Sequence, residues 1–289
     1  MLMSSAHQAN PASEKVKSFV CRLWRRCSRV CKYAGRPCLA LVLAALFSIS
    51  PASAAVPPAV AAAADLQFAL TEIAARFEAK TGQVVRLSFG SSGNFQRQIL
   101  QGAPFELFLS ADEAYVETLA KAGVTRDGGR LYALGRIVLM VPKVAGISPD
   151  VNFKDLRRAI EDGRLRRFAI ANPEHAPYGR AAREALQQAG LWTLIKPYLV
   201  LGENAAQAAR FAVSGSTQGG IIPYSLALVP VVSKGSRYVL LPASMHRPLR
   251  QRMVLMRHAG PVAQAFYAYI QTAQARKILV RFGFQLHGD

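Results

Sequence analysis

Twice in this chain an apolar, strand-like run gives way to a short loop of small and hydroxyl-bearing residues and then to helical spacing. The first instance is Phe89-Gly90-Ser91-Ser92-Gly93-Asn94-Phe95. The second is Asn172-Pro173-Glu174-His175-Ala176-Pro177-Tyr178-Gly179, which follows the strand pattern at 167–171. The first backbone N–H groups of a helix have no partner inside it, and the aligned peptide dipoles leave a positive end there. Such a junction is a cradle for an anion, and two of them facing one cleft would hold a small oxyanion without a metal or a cofactor.

The rest of the pattern fits that reading. Helical spacing at 66–80, with Asp65 as N-cap and Gly82 as stop, precedes a strand at 84–89 and a short helix at 95–102. A strand at 104–109 and a helix at 111–122 follow, then one long strand over 134–142 and a helix at 153–160 that opens a new lobe. From there the alternation restarts: strand 167–171, helix 179–189, strand 197–201, helix 204–213 capped by Asn204, and strand 219–223. Strands at 238–241 and 253–256 and helices at 262–272 and 273–282 complete it. Alternation of this kind predicts an α/β protein in which mostly parallel sheets are flanked by helices.

The first 54 residues read as an export leader. Lys15, Lys17, Arg22, Arg25, Arg26, Arg29, Lys32 and Arg36 precede an apolar run from Cys38 to Ile49, and Ala52-Ser53-Ala54 supplies a cleavage signal. That run is well short of the roughly 20 residues needed to span a bilayer. All four cysteines, Cys21, Cys27, Cys31 and Cys38, lie inside the leader. The exported part would therefore have no disulfide, thiolate ligand or cysteine nucleophile, and no lipid-attachment cysteine. The formal charge of +19 is only partly removed with the leader. A basic exported chain without an aromatic-and-arginine recognition motif points to anionic small ligands rather than to nucleic acid.

The five histidines, His7, His175, His246, His258 and His287, include no pair at helical ligand spacing, so no metal site is expected. Ser91 and Ser92 sit at a strand-to-helix turn, but Gly90-Ser91-Ser92-Gly93 does not have the spacing of a nucleophile elbow. Tyr178 either fills a core or leaves its backbone N–H free at a helix start. Helix starts near Asp65, Ser92, Tyr178 and Asn204 would converge on the crevice at the strand C-termini.

These residues together resemble the periplasmic molybdate-binding proteins of ABC transporters, the ModA family, with the type II periplasmic binding-protein fold. The resemblance runs from about Ala61 to Phe284. It is carried by Ala61-Ala62-Ala63-Ala64-Asp65-Leu66, the two loops above, Gln101-Gly102-Ala103-Pro104-Phe105-Glu106-Leu107-Phe108-Leu109-Ser110-Ala111-Asp112, and Arg281-Phe282-Gly283-Phe284. It implies that Ser92 donates to the oxyanion through hydroxyl and amide, and that Tyr178 and Ala205 donate through their amides. The family's first-loop serine is absent, and Ala64 or Asp65 stands in its place. The family's tyrosine after a Gly-Ile-Val strand is displaced, because Gly220-Ile221-Ile222 runs into Pro223 before Tyr224. A carboxylate of Asp65 pointing into the cleft would repel a dianion, so the expectation is that it faces away as a cap and offers only its N–H.

The resulting expectation is a two-lobed, hinged solute-binding protein, with residues 56–139 and 234–289 in lobe one and 140–233 in lobe two. It would be a periplasmic monomer that captures molybdate, and also tungstate, for a membrane permease of an ABC importer. No catalytic residue, cofactor or nucleic-acid partner is expected. The alternatives are a binder of another small or organic anion and a secreted serine hydrolase using Ser91 or Ser92.

Overall fold

Ala59–Ala63 forms β1, a strand whose residues are all buried. It is the centre of the parallel part of the first sheet, between β2 (Arg86–Gly90) and β3 (Phe105–Ser110). The sheet continues through β10 (Leu249–Leu255), antiparallel to β3, to β4 (Arg130–Gly135), in the order β2-β1-β3-β10-β4. The computed structural model describes residues 56–286. The expected leader, its four cysteines, His7 and His287 lie outside the described residues.

The second sheet has the same plan. Its order is β7-β6-β8-β5-β9, built from β5 (Ile137–Pro142), β6 (Phe168–Ala171), β7 (Leu199–Gly202), β8 (Gly220–Pro223) and β9 (Ser236–Leu240). β6 runs parallel to β7 and β8, while β5 is antiparallel to β8 and β9. The two-lobed α/β architecture is thus present, with each sheet parallel on one half and antiparallel on the other.

The helices are α1 (Gln67–Thr81), α2 (Ser92–Leu100), α3 (Glu113–Lys121), α4 (Lys154–Glu161), α5 (Pro177–Gln188), α6 (Trp192–Ile195), α7 (Ala205–Val213), α8 (Tyr224–Ala227), α9 (Pro230–Ser233), α10 (Pro261–Ile270) and α11 (Ala273–Arg281). α1 buries Ala69, Leu70, Ile73 and Phe77, which recur at helical spacing, and Phe77 stacks at a tilt on Phe266 and Tyr269 of α10. It ends where Gly82 adopts φ 69°, a left-handed turn that glycine takes without penalty.

Two expectations need correcting. The stretch 134–142 is not one strand: it breaks at Arg136, with Gly135 ending β4 in the first sheet and Ile137 starting β5 in the second. The chain therefore crosses between sheets at Arg136 rather than at 139/140. It returns after β9, which pairs with β5 from Val138↔Leu240 to Pro142↔Ser236, so the second crossing lies between Leu240 and Leu249 and not at 233/234. The one interruption in the run, Gly135-Arg136, marks the first crossing, but a single glycine and arginine within strand-like spacing do not show which sheet each half will join.

Candidate functional site

Segments at and beyond the C-terminal ends of parallel strands from both sheets meet at one gap. Ala63 ends β1 and Ala64 and Asp65 follow it, Gly90 ends β2 and Ser91 and Ser92 follow it, and Ala111 follows β3. From the other side come Ala176, Pro177 and Tyr178 beyond β6 and Ala205 beyond β7. Among the described residues, no lysine or arginine lines it. Its cavity volume is about 10 Å³, room for about one water molecule and far below the roughly 300–1,000 Å³ typical of sites for organic ligands.

All five residues singled out from the sequence, Ala64, Asp65, Ser92, Tyr178 and Ala205, lie in this wall. Ser92 is the first residue of α2, Tyr178 the second of α5 after Pro177, and Ala205 the first of α7. Among the described residues, none of their three backbone N–H groups has a hydrogen-bond partner, as expected for the first turn of a helix. The Ser92 hydroxyl oxygen accepts from the Ala111 N–H at 3.0 Å, which leaves its own proton free to be donated. Asn204 caps α7 by accepting from the Gln207 N–H at 3.0 Å, so the start of that helix is fixed without using the Ala205 amide.

Asp65 is not the cap that its sequence position suggests. Ala64–Leu66 forms a single 3-10 turn before α1, and Leu66, at the N-cap of α1, makes no side-chain cap bond. The Asp65 side chain instead turns inward and is 1% exposed. Its Oδ2 accepts from the Tyr178 hydroxyl at 2.9 Å and from Gln251 Nε2 at 2.7 Å, while Oδ1 has no partner. Gln251 Nε2 also donates to the Tyr178 hydroxyl at 3.0 Å, and its Oε1 accepts from Tyr132 at 2.8 Å, which fixes the orientation of the amide. Burial pushes the Asp65 carboxyl up to about 6, against the opposing pull of Gln251, Tyr178 and the neighbouring Asp65 and Leu66 amides. Burial, with the Asp65 charge nearby, also raises the Tyr178 and Tyr132 phenols well above their ordinary value. Tyr178 therefore plays both parts read for it: its ring is buried, and its amide is free at the gap.

Ser91, His175 and Glu203 have an outline that invites comparison with a hydrolytic triad, and the geometry argues against one. The Ser91 hydroxyl donates to the His175 carbonyl oxygen at 2.5 Å, so the 2.9 Å approach of His175 Nδ1 to the Ser91 Oγ requires that Nδ1 carry the proton. The imidazole then donates to the serine where a triad base would accept from it. Its Nε2 lies 3.6 Å from an Oε2 of Glu203, whose side chain is 68% exposed, too loose to orient the ring. What this cluster does is tie the two sides of the gap together. The Gly93 N–H donates to the same carbonyl at 3.0 Å, and the Tyr115 hydroxyl approaches it at 3.5 Å.

Comparison with known proteins decides the kinship. The profile of the bacterial extracellular solute-binding protein family matches residues 58–285. The molybdate-binding protein ModA of Rhodobacter capsulatus is 34% identical over 254 residues, covering 87% of this chain and 95% of that protein. ModA of Escherichia coli K12 is 32% identical over 230 residues, 78% of this chain and 87% of that one. Among solved structures, the periplasmic molybdate-binding protein of Azotobacter vinelandii superimposes with a TM-score of 0.70 at 28% identity, over 79% of this chain and 99% of that one. The chain belongs to the ModA family.

Against the expectation drawn for a ModA-family chain, two positions stand out. The place of the first-loop serine is the Ala64-Asp65 turn. Tyr224 does not line the gap: its N–H donates to the Arg136 carbonyl at 2.9 Å and its ring packs 6.0 Å from Tyr238. The neighbouring Ser225 hydroxyl reaches the Asp65 backbone carbonyl at 2.9 Å and holds the turn. Gln251 and Tyr132, which orient the Asp65 carboxyl, were not read from the sequence. The available signal was an uncharged polar residue at an inward position of the strand Leu249–Leu255, where Gln251 is 0% exposed.

Proposed function

We propose that this ModA-family protein captures molybdate, and tungstate with it, by closing two lobes on the anion and passing it to the permease of an ABC importer. The lobes correspond to the two sheets with their helices, hinged at Arg136 and in the 240–249 segment. Ser92 would donate through its hydroxyl and amide from one side, and Tyr178 and Ala205 through their amides from the other. The backbone at Ala64 and Asp65 closes the cage. Several neutral donors at helix starts stabilise a dianion without a lysine or arginine, because their dipoles are already oriented before it arrives.

The observation that carries the reading is the convergence of three unpartnered first-turn amides and one free hydroxyl proton on a gap with no cation in its wall. The small volume favours an inorganic tetrahedron over an organic anion. The basic surface would draw anions toward the gap, and salt would weaken that attraction. Delivery outside the cytoplasm after removal of residues 1–54, and a monomeric state, complete the proposal.

Titration calorimetry of the chain beginning at residue 55 against molybdate, tungstate, sulfate and phosphate tests it. The expected result is binding of the first two tighter than about 1 μM and no heat with sulfate. Absence of binding to every one of these oxyanions would overturn the reading.

A further inference from the structure

The wall of the gap contains an acid with nothing positive beside it. Asp65 is buried, its Oδ1 is unpartnered, and the groups acting on its carboxyl are Gln251, Tyr178 and nearby backbone amides. The titratable side chains that face it are the Tyr178 phenol from α5, at 2.9 Å, and the Tyr132 phenol from β4, which reaches it through Gln251 of β10. Neither phenol ionises in the neutral range, since both are shifted upward. A doubly charged anion in this gap would lie beside a buried carboxylate, and two like charges at close range in a low-dielectric surrounding are not both kept.

Resting on the proposed capture of a tetrahedral dianion, we propose that binding takes up one proton from solvent and that Asp65 holds it on Oδ1. The choice of oxygen follows from the network. Oδ2 already receives two donors, and the Gln251 amide is oriented by Tyr132, so a proton on Oδ2 would face other protons. Oδ1 has no donor competing for it, and a proton there removes the charge that would repel the anion. The balance is simple: carboxylate, dianion and one proton from the buffer give a neutral acid beside a bound dianion.

The sign of the pH dependence follows. With a free-state value of about 6 for Asp65, the acid is already protonated below that pH, and binding takes up no proton. Above it, each anion bound draws one proton from solvent, and the dissociation constant rises by up to about tenfold per pH unit.

The test is calorimetry with molybdate on the chain beginning at residue 55, from about pH 6 to about pH 9, each pH measured in two buffers of different ionisation heat. The expected result is uptake approaching one proton per anion at the alkaline end, with affinity falling in step. Asp65→Asn, whose amide nitrogen mimics the protonated oxygen, is expected to bind with no proton uptake and a flat pH profile. Binding of molybdate by the parent protein with no proton uptake and constant affinity overturns the proposal while leaving molybdate capture intact. Failure to bind any oxyanion at any pH overturns both. The parent protein's proton count decides the matter even if the variant folds poorly, and Asp65→Ser supplies a second variant without a carboxyl.

Discussion

The acids just outside the gap and the one inside it have opposite surroundings. Outside, Asp112 pairs with Arg180 at 2.9 Å, Glu184 lies between Arg180 and Arg247, and Glu113 lies between Arg250 and Arg252. Burial alone would raise Glu113 and Glu184, but their arginine partners hold both below the ordinary carboxylate range. Inside, Asp65 has only neutral donors, burial prevails, and the carboxyl rises to about 6. The contrast teaches how the gap is kept suited to anions. The arginines named are paired with acids outside the wall, so the wall itself offers dipoles and the Asp65 carboxyl.

The largest effect is expected where one half of that wall is positioned. Gly179, the third residue of α5, packs against the end of β6, and a Cβ built there would lie 2.1 Å from the Ala171 carbonyl oxygen. Backbone cannot yield by that amount without moving the helix start that carries Tyr178. Gly179→Ala should cost about 3 kcal/mol or more in unfolding free energy and abolish oxyanion binding, read by chemical denaturation and calorimetry. Full stability with intact binding would show that the helix start is not held by this packing.

Next comes the acid itself, without ligand. Its value in the fold, about 6, lies above the 3.8 of an ordinary aspartate, so ionisation in the folded state is penalised. The penalty is absent below pH 3.8, grows as pH rises through the window up to about 6, and is constant above it. Asp65→Asn keeps both bonds at the Oδ2 position and should stabilise the free protein by about 1–3 kcal/mol at pH 8. The gain should shrink as pH falls toward 4. Denaturant midpoints at the two pH values check this, and a gain that is equal at both would contradict the buried-acid account.

The two kinds of acid were not equally legible in the sequence. Loop-to-helix junctions, helix spacing and the residues of the donor wall could be read because they depend on local pattern: small residues, hydroxyls and a proline at a helix start. Asn204 was read as a cap and is one. Asp65 was read as a cap by the same rule and is not, because the chain makes a 3-10 turn before α1 begins and so turns the carboxyl inward. Nothing local distinguishes the two cases. What decides them is whether partners from distant strands and helices, here Gln251 and Tyr178, are waiting inside. β1 was missed for a related reason. Five residues rich in alanine have little intrinsic strand preference, and they form a strand because parallel neighbours on both sides bury them.

A smaller effect sharpens the donor half of the comparison. Ser92→Ala removes the one hydroxyl proton free to face the gap and leaves the Ala111 amide without its acceptor. Affinity for molybdate should fall by about 1–3 kcal/mol, the worth of a hydrogen bond to a charged acceptor. The pH dependence set by Asp65 should survive unchanged. A loss of pH dependence together with affinity would mean that the hydroxyl and the carboxyl act as one unit.

The smallest expected effect is on the arginine-paired side. Glu113 accepts from Arg252 at 2.8 Å and from Arg250, and its ionised form is favoured in the fold. The stability it contributes is therefore present above the ordinary glutamate value of 4.5 and lost as pH falls through its lowered value. The pair is partly open to solvent, with side-chain exposures of 21% for Glu113 and 23% for Arg252, so solvent screening keeps its worth low. Glu113→Gln should cost about 0.5 kcal/mol at pH 7 and nothing at a pH where the glutamate is already protonated, with no change in proton uptake on binding. Asp65→Asn should behave oppositely on every count, raising stability at high pH and abolishing the uptake. If the two substitutions changed stability in the same direction with pH, the division between a paired exterior and an unpaired interior acid would not describe this protein.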